Sequence, residues 1–381
     1  MSHPIAAIDI GSNTIRVVAG EVSDGRIVLQ ARADASSQGI RAGYLTNKSE
    51  ATIAIKKALR LTEKQLGQTI EELHITAGGS PLSTKIASST VAVSHGNGYV
   101  TEVDIENATR RSIHRSLGTN ERNIDKIILG YKLDGKETIS EPIGMQGKKL
   151  EVSVMLFNYA SQNMDAIEDV LDTLDVSVAH FFPAVVGSSI VSLNTIDRRV
   201  GCVLIDIGSD TTSFIVYEQD KPVYIGYLDS GSDDLTQAIA LELQISLSEA
   251  ELIKKGGPLP ESLTLARLNK IINKNCQELF RKINVQLKNI NKKGNLPGGA
   301  ILCGGGALVQ GIEQIAKDTL KIPTRRAVVR AYRKEQDERE IAWSSVYGVA
   351  INALELERVQ KRNFLTKILR NIWIKMRAYF A

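Results

Sequence analysis

The apolar residues fall into short runs typical of buried strands, and one such pattern occurs twice along the chain. Runs over 5–10 and 200–207 contain Asp-Ile and lead into Gly-Ser-Asn or Gly-Ser-Asp. Further strand-like runs follow over 15–22 and 213–217. Gly, Ser, Asn and Asp between two apolar runs predict a tight turn, so each copy indicates a β-hairpin. Two hairpins with nearly the same sequence favour a duplicated α/β fold over a chance match.

The segment between the hairpins has a different pattern, richer in strands. Asp134-Gly135 separates two alternating runs and is a strong hairpin signal. Thr101 and Asp104 have the spacing of a helix capping box. We therefore expect residues 83–158 to form a separate inserted subdomain.

After the second hairpin the apolar spacing becomes helical. A Gly-rich stretch then returns the chain to one short buried strand. The predicted helices are 235–243, 248–255, 263–290, 310–320 and 341–357, and the predicted strand is 300–303.

Composition and charge narrow the class of protein. The chain has 381 residues, which favours more than one domain. Cys202, Cys276 and Cys303 stand alone in apolar stretches, so we expect buried free thiols in a reducing compartment. No run of about 18 apolar residues or signal-peptide pattern occurs, so we expect neither a membrane span nor export. The net charge of +4 comes from the last 21 residues, and the slightly acidic remainder is not expected to bind nucleic acid.

The two hairpin tips predict a phosphate site. A tip of Gly and Ser presents several backbone N–H groups to one point. Asp9 and Asp206 end the preceding strands, so we expect both to approach the phosphates and to hold Mg²⁺, mostly through water. Asp206 is also the candidate catalytic group. Either tip alone could simply close a turn, but the pair predicts an ATP clamp.

Two further features complete the predicted nucleotide site. Glu251 and Lys254 lie one turn apart on a helix and can bond ribose and adenine, although a solvated helix surface is the alternative for this pair alone. Three glycines over 304–306 follow a buried strand and let the backbone approach a ligand closely, although alone they could be an ordinary loop. The predicted nucleotide-binding residues are Gly11, Ser12, Asn13, Gly208, Ser209, Asp210, Thr211, Glu251, Lys254, Gly304, Gly305 and Gly306.

In this order, the two Asp-Ile-Gly-Ser hairpins, the Ala-Glu-x-x-Lys helix and the Leu-x-Gly-Gly-Gly-Ala turn resemble the actin, heat-shock chaperone and sugar-kinase superfamily. The Pro-Ile-Gly-Met stretch over 141–151 and the segment 37–43 resemble the FtsA family of bacterial cell-division proteins. The resemblance implies an actin-like fold of two ribonuclease-H-like halves with a 1C-type insert. The implied subdomains are 1A (1–82, 159–198 and 341–358), 1C (83–158), 2A (199–235 and 297–340) and 2B (236–296).

The resemblance also implies a function. Members of this family bind ATP and Mg²⁺, polymerise on the cytoplasmic face of the membrane at the division site, and tether FtsZ filaments there. The FtsZ C-terminal peptide is expected on 2B, at Lys274, Arg281 and Lys282, although a solvated basic face is the alternative. Other division proteins are expected to bind 1C. A PilM-like scaffold of type IV pilus assembly and a small-molecule kinase are the competing interpretations.

The segment 361–381 predicts an amphipathic membrane-binding helix that stands apart from the folded body. It contains six Lys or Arg residues and no acid. The apolar residues recur on one helical face, with cations beside it. A C-terminal helix docked on the body is the alternative. The predicted membrane-binding residues are Phe364, Leu365, Ile368, Leu369, Ile372, Trp373, Met376 and Phe380, with Lys367, Arg370 and Lys375.

One departure from the wider superfamily predicts slow hydrolysis. In chaperone and MreB-like relatives, a Glu-Pro-x-Ala sequence supplies a carboxylate that positions the attacking water. The matching stretch here contains Phe182 in place of that Glu. Because a general base typically contributes about 10²–10⁴-fold in rate, we expect at most slow ATPase activity.

Overall fold

The repeated hairpins form the centre of two sheets in a computed structural model of the chain. The structure describes residues 4–23, 26–94, 98–138, 140–260, 264–292, 294–329 and 337–358. The strands are β1 (Ile5–Ile10), β2 (Thr14–Ser23), β3 (Arg26–Ser36), β4 (Ile40–Arg41), β5 (Tyr44–Leu45), β6 (Glu72–Ala77), β7 (Leu82–Ala92), β8 (Glu121–Leu133), β9 (Lys136–Thr138), β10 (Lys149–Ala160), β11 (Ser177–Pro183), β12 (Cys202–Ile207), β13 (Thr212–Glu218), β14 (Lys221–Leu228), β15 (Ala300–Cys303) and β16 (Thr324–Arg326). The α-helices are α1 (Lys48–Leu66), α2 (Glu102–Ser116), α3 (Ser161–Asp172), α4 (Ala184–Ser192), α5 (Thr195–Val200), α6 (Ser232–Leu243), α7 (Leu247–Lys254), α8 (Leu265–Asn289), α9 (Ile312–Leu320) and, within the described residues, α10 (344–358). The 3₁₀ helices of the described residues are Gly305–Leu308 and Glu338–Trp343.

The two five-stranded sheets have the same arrangement. The first has the order β11-β6-β1-β2-β3 and the second β16-β15-β12-β13-β14. In each, the predicted hairpin extends into three antiparallel strands, and two parallel strands complete the sheet. The hairpin registers are equivalent, since Asp9 pairs with Arg16 and Asp206 with Ser213. The predicted α/β fold of two duplicated halves is therefore confirmed.

A separate antiparallel sheet of order β7-β10-β8-β9 is inserted into the first half, between β6 and β11 in sequence. Helix α2 packs on it and begins with the predicted capping box of Thr101 and Asp104. Asp134 and Gly135 both have positive φ in the turn between β8 and β9, as that turn type requires. The insert has its own apolar core, so it folds around its own sheet.

The largest core surrounds the second sheet and includes one face of α8. That face repeats at helical spacing, as the sequence predicts. The three cysteines are buried and free, also as predicted. None of the helices in the described part of the chain is long and apolar enough to cross a membrane. The buried residues of α8 are Leu268, Ile271, Ile272, Cys276, Leu279, Phe280, Ile283 and Leu287.

The last helix differs from its prediction and is held by an unusually close crossing. A single helix was expected over 341–357, but its first residues belong to the 3₁₀ helix that ends at Trp343, and α10 follows. Helix α10 crosses α4 at Gly348 and Gly187. A Cβ on Gly348 would overlap the backbone carbonyl of Gly187, so the two backbones touch. This contact fixes α10 against the first half of the molecule.

Candidate functional site

A cavity of about 820 Å³ lies between the two sheets, and both hairpin tips open into it. All of the residues that the sequence predicts to bind nucleotide line this cavity, and so do Asp9 and Asp206. The structure therefore brings together residues separated by almost 300 positions. Their roles in binding remain predictions.

The two hairpin tips have nearly the same geometry. A Cβ built on Gly11 would lie 2.8 Å from the Thr14 carbonyl oxygen, and one on Gly208 would lie 2.9 Å from the Thr211 carbonyl oxygen. Only glycine fits so tight a turn, which explains why each tip contains one. The equivalence supports a clamp that grips one ligand from both sides.

Asp9 is held by three groups at the base of the first tip. The hydroxyl of Thr76 donates to Asp9 Oδ1 at 2.6 Å, and the hydroxyl of Ser345 donates to Asp9 Oδ2 at 3.2 Å. The Arg16 guanidinium lies 3.8 Å from Asp9 Oδ2. These contacts orient the carboxylate toward the cavity.

Asp206 is the equivalent carboxylate of the second half and is more enclosed. Burial raises the pKa of Asp206 to about 6, although the hydrogen bond from Ser188 opposes that shift. The Ser188 hydroxyl donates to Asp206 Oδ2 at 2.5 Å. Gly304 has φ +82, and a Cβ there would overlap the Asp206 carboxylate, so the glycine turn packs directly against this acid.

The pair on α7 forms a bonded cluster at one side of the cavity. Lys254 Nζ lies 2.6 Å from Glu251 Oε2, and Lys255 Nζ lies 3.1 Å from Glu251 Oε1. Thr236 donates to Glu251 at 2.6 Å. Burial alone would raise the pKa of Glu251, but the hydrogen bonds from Lys254 and Thr236 lower it. Both side chains are thus held in place at the edge of the cavity, where they can bond a sugar or a base.

The oxygen ligands of the cavity are few but suit Mg²⁺. The part of the chain that the structure describes contains no group of three or more His, Cys, Asp or Glu side chains able to hold a metal. The cavity does contain two carboxylates, Asp9 and Asp206, one from each half. Such a site fits Mg²⁺, which keeps several waters and binds through one or two carboxylates together with ligand phosphates.

Several residues of the cavity are not predicted from the sequence. They include Arg16, Thr76, Ser345 and the turn around residue 338. Arg16 could have been predicted from the sequence. Every second side chain of a strand lies on the same face, so Arg16 follows the hairpin tip on one face of β2. The others approach from distant parts of the chain.

Phe182 lies at the end of a core strand. Its side chain is 7% exposed, packs beside His74 and His180, and is not among the residues that line the cavity. A buried phenyl ring offers no group that could orient a water, and slow hydrolysis stays a prediction.

The remaining predicted residues lie elsewhere. Lys274, Arg281 and Lys282 are exposed on α8, outside the nucleotide cavity. Lys274 lies 3.7 Å from Glu242, Lys282 lies 3.9 Å from Glu278, and Arg281 donates to Gln277 at 3.0 Å. The predicted membrane-binding residues of 361–381 lie outside the described residues.

Comparison with known proteins gives two family matches. The model described as "Cell division protein FtsA" matches residues 203–348, and the model described as "SHS2 domain inserted in FTSA" matches residues 79–157. The FtsA of Bacillus subtilis strain 168 is 22% identical over 336 residues, covering 83% of this chain and 76% of the relative. The FtsA of Borreliella burgdorferi is 23% identical over 403 residues, covering 99% of this chain and 98% of the relative.

Solved structures agree on the fold. A chain of the PilM-PilN type IV pilus biogenesis complex aligns with a TM-score of 0.69 and 18% identity, covering 92% of this chain and 98% of that chain. MreB 5 of Spiroplasma citri bound to AMPPNP aligns with a TM-score of 0.55 and 13% identity, covering 96% of this chain and 99% of that chain.

The duplicated sheets, the cavity between them and the inserted sheet define an actin-like protein with an SHS2 insert. Matches to both family models cover more than half of the sequence, and curated relatives align over most of its length. The chain belongs to the FtsA family of cell division proteins.

Proposed function

We propose that this protein binds ATP and Mg²⁺, polymerises on the cytoplasmic face of the membrane at the division site, and tethers FtsZ filaments there. The single observation that supports nucleotide binding is the pair of equivalent hairpin tips facing one cavity, with Asp9 and Asp206 beside them. Backbone N–H groups of the tips would hold the phosphates, and the two carboxylates would hold water-coordinated Mg²⁺. Glu251, Lys254 and the glycine turn would receive the nucleoside.

Gly305→Val tests the nucleotide site. A Cβ on Gly305 meets nothing within 4 Å, so the variant should fold while its side chain projects into ligand space. Gly130→Val, on β8, is the matched control, because Gly130 also has open space around it and lies outside the cavity. A ligand at 100 times its Kd stabilises a protein by about 2.7 kcal/mol. Mg·ATP should raise the melting temperatures of the wild type and of Gly130→Val, but not that of Gly305→Val. Equal stabilisation of Gly305→Val would contradict the site.

The membrane role rests on the sequence of 361–381. Each cation near an anionic leaflet contributes about 1 kcal/mol, and each fully inserted Leu or Phe contributes about 1.5–3 kcal/mol. Trp373→Glu should abolish co-sedimentation with anionic vesicles, whereas Trp373→Phe should preserve it. Replacing Lys367, Arg370 and Lys375 together should weaken binding mainly to anionic lipid and increase its salt sensitivity. Sedimentation of Trp373→Glu at the wild-type level would show that the segment does not bind lipid.

The FtsZ role is proposed for the basic face of α8. Arg281→Glu should weaken binding of an FtsZ C-terminal peptide, because that peptide is partly acidic in this family. Lys317→Glu on α9 makes the same charge change at another exposed helix position and should leave the affinity unaltered. Equal affinities of the two variants would reject this face as the contact.

Polymerisation is tested directly on anionic lipid monolayers with ATP, viewed by negative-stain microscopy. Filaments should form on lipid with the full chain and not after deletion of 361–381. The fold similarity to PilM makes a pilus-assembly scaffold the second candidate. Absence of filaments and of FtsZ-peptide binding would favour that second candidate.

A further inference from the structure

The turn that leads into α10 touches the predicted nucleotide site from two sides. The backbone N–H of Gly304 donates to the Ile341 carbonyl at 2.9 Å, which joins the turn to the glycine loop of the second half. Four residues later, Ser345 donates to Asp9 Oδ2 at 3.2 Å, which joins it to the first half. Residues 338–345 therefore contact both groups that would grip a ligand.

Trp343 connects the same turn to Arg16, which lines the cavity. The Arg16 guanidinium lies 5.7 Å from the centre of the Trp343 ring, and the Arg32 guanidinium lies 4.8 Å from it. Arg16 is also 3.8 Å from Asp9. A stacked guanidinium and indole attract each other, so Trp343 restrains Arg16 beside the acid.

The turn is fastened to α10 and cannot move without it. Glu340 on the turn lies 2.7 Å from Arg32, and Tyr347 on α10 donates to Glu340 at 2.8 Å. The next residue of the helix, Gly348, is in backbone contact with Gly187. Because closely packed backbones cannot move independently, a shift of the turn must also displace α10.

We infer that residues 338–345 form a positioning element of the nucleotide site, which orients Asp9 through Ser345 and transmits occupancy of the cavity into α10. This inference rests on the proposed binding of Mg·ATP. Mg²⁺ with its waters would bind the Asp9 carboxylate that Ser345 orients, and phosphates would attract Arg16 away from Trp343. The contacts of the turn therefore change when the cavity fills.

Ser345→Ala is compared with Ser112→Ala, the same change at a serine buried in α2 of the insert. Ser112 lies outside residues 338–345 and is not among the residues that line the cavity. Hydrogen bonds to charged groups are strong enough that Ser345→Ala should weaken Mg·ATP binding about ten-fold. ATP binding in EDTA should change much less, because Asp9 acts through the metal. Ser112→Ala should bind like the wild type in both conditions.

Two measurements besides affinity report whether nucleotide binding changes the turn and α10. In a Trp373→Phe background, Trp343 is the remaining tryptophan, and its emission should shift when Mg·ATP is added. Hydrogen exchange of the α10 amides should slow with Mg·ATP in the wild type and stay unchanged in Ser345→Ala. A wild-type protein that binds no nucleotide would overturn the proposed function and this inference together. Binding by the wild type, with equal affinities of the two serine variants or no response of Trp343, would overturn this inference alone.

Discussion

Replacing Arg32 by Met should destabilise the protein far more than a surface charge change would. The side chain of Glu340 is 4% exposed and lies 2.7 Å from the Arg32 guanidinium. The variant leaves this carboxylate buried with Tyr347 as its remaining described hydrogen-bond donor. Breaking a buried ion pair in this way typically costs about 3–5 kcal/mol. Loss of the stacking on Trp343 adds about 1 kcal/mol.

The cost should also depend on pH. Without Arg32, the buried Glu340 can lose its charge by binding a proton. Protonating a glutamate of ordinary pKa costs about 4 kcal/mol at pH 7 and about 1 kcal/mol at pH 5. The destabilisation is therefore present above the unfolded pKa and grows as the pH rises. Arg32→Met should lose about 4 kcal/mol at pH 7 and markedly less at pH 5.

Chemical denaturation followed by Trp343 fluorescence, in a Trp373→Phe background, measures this difference. Arg198→Met is the control, because it breaks a pair with Asp220 of the same length, 2.7 Å, that is more exposed. The control should cost less than about 1 kcal/mol at both pH values. Arg32→Met together with Glu340→Leu should recover much of the lost stability. A cost for Arg32→Met below that of the control, or equal at pH 7 and pH 5, would refute the reasoning.

Three further outcomes are expected. Gly348→Ala should cost about 3 kcal/mol or more in thermal unfolding, since its Cβ overlaps Gly187; an unchanged melting temperature would contradict the crossing. Burial would raise the pKa of Asp104, but hydrogen bonds from Ser94 and Thr101 lower it to about 2, so its stabilisation should be lost as pH falls from 4 toward 2. Asp104→Asn should flatten that acid limb in equilibrium unfolding. Phe182→Glu should lower the melting temperature without accelerating single-turnover ATP hydrolysis, which should be slow in the wild type; faster cleavage would contradict the burial of Phe182.

The hairpins, the capping box and the α8 stripe could be predicted because their signals are local. A tight turn needs Gly and polar residues at fixed positions, and Thr101 caps a helix that begins at the next residue. Even the gathering of Gly11, Gly208 and Gly304 around one cavity follows once the two hairpins are taken as halves of one fold. These features depend on a few neighbouring residues or on repetition.

The rest depends on contacts between residues far apart in sequence. Ser345 meets Asp9 across 336 positions, and nothing near either residue announces that contact. Ser188 likewise donates to Asp206 from a helix in the other half of the molecule. Such contacts are decided by the packing of the two halves, which a local motif does not contain.

The equivalence of the two hairpin tips has a consequence for ligand polarity. Tips of matching geometry would accept a row of phosphates in either direction. Glu251, Lys254 and the glycine turn, by contrast, all belong to the second half. The phosphate-binding part of the site is therefore symmetric, whereas the groups that would bind the nucleoside lie on one side only. Inorganic tripolyphosphate should compete for the centre, while only the sugar and base can determine which end of the ligand enters first.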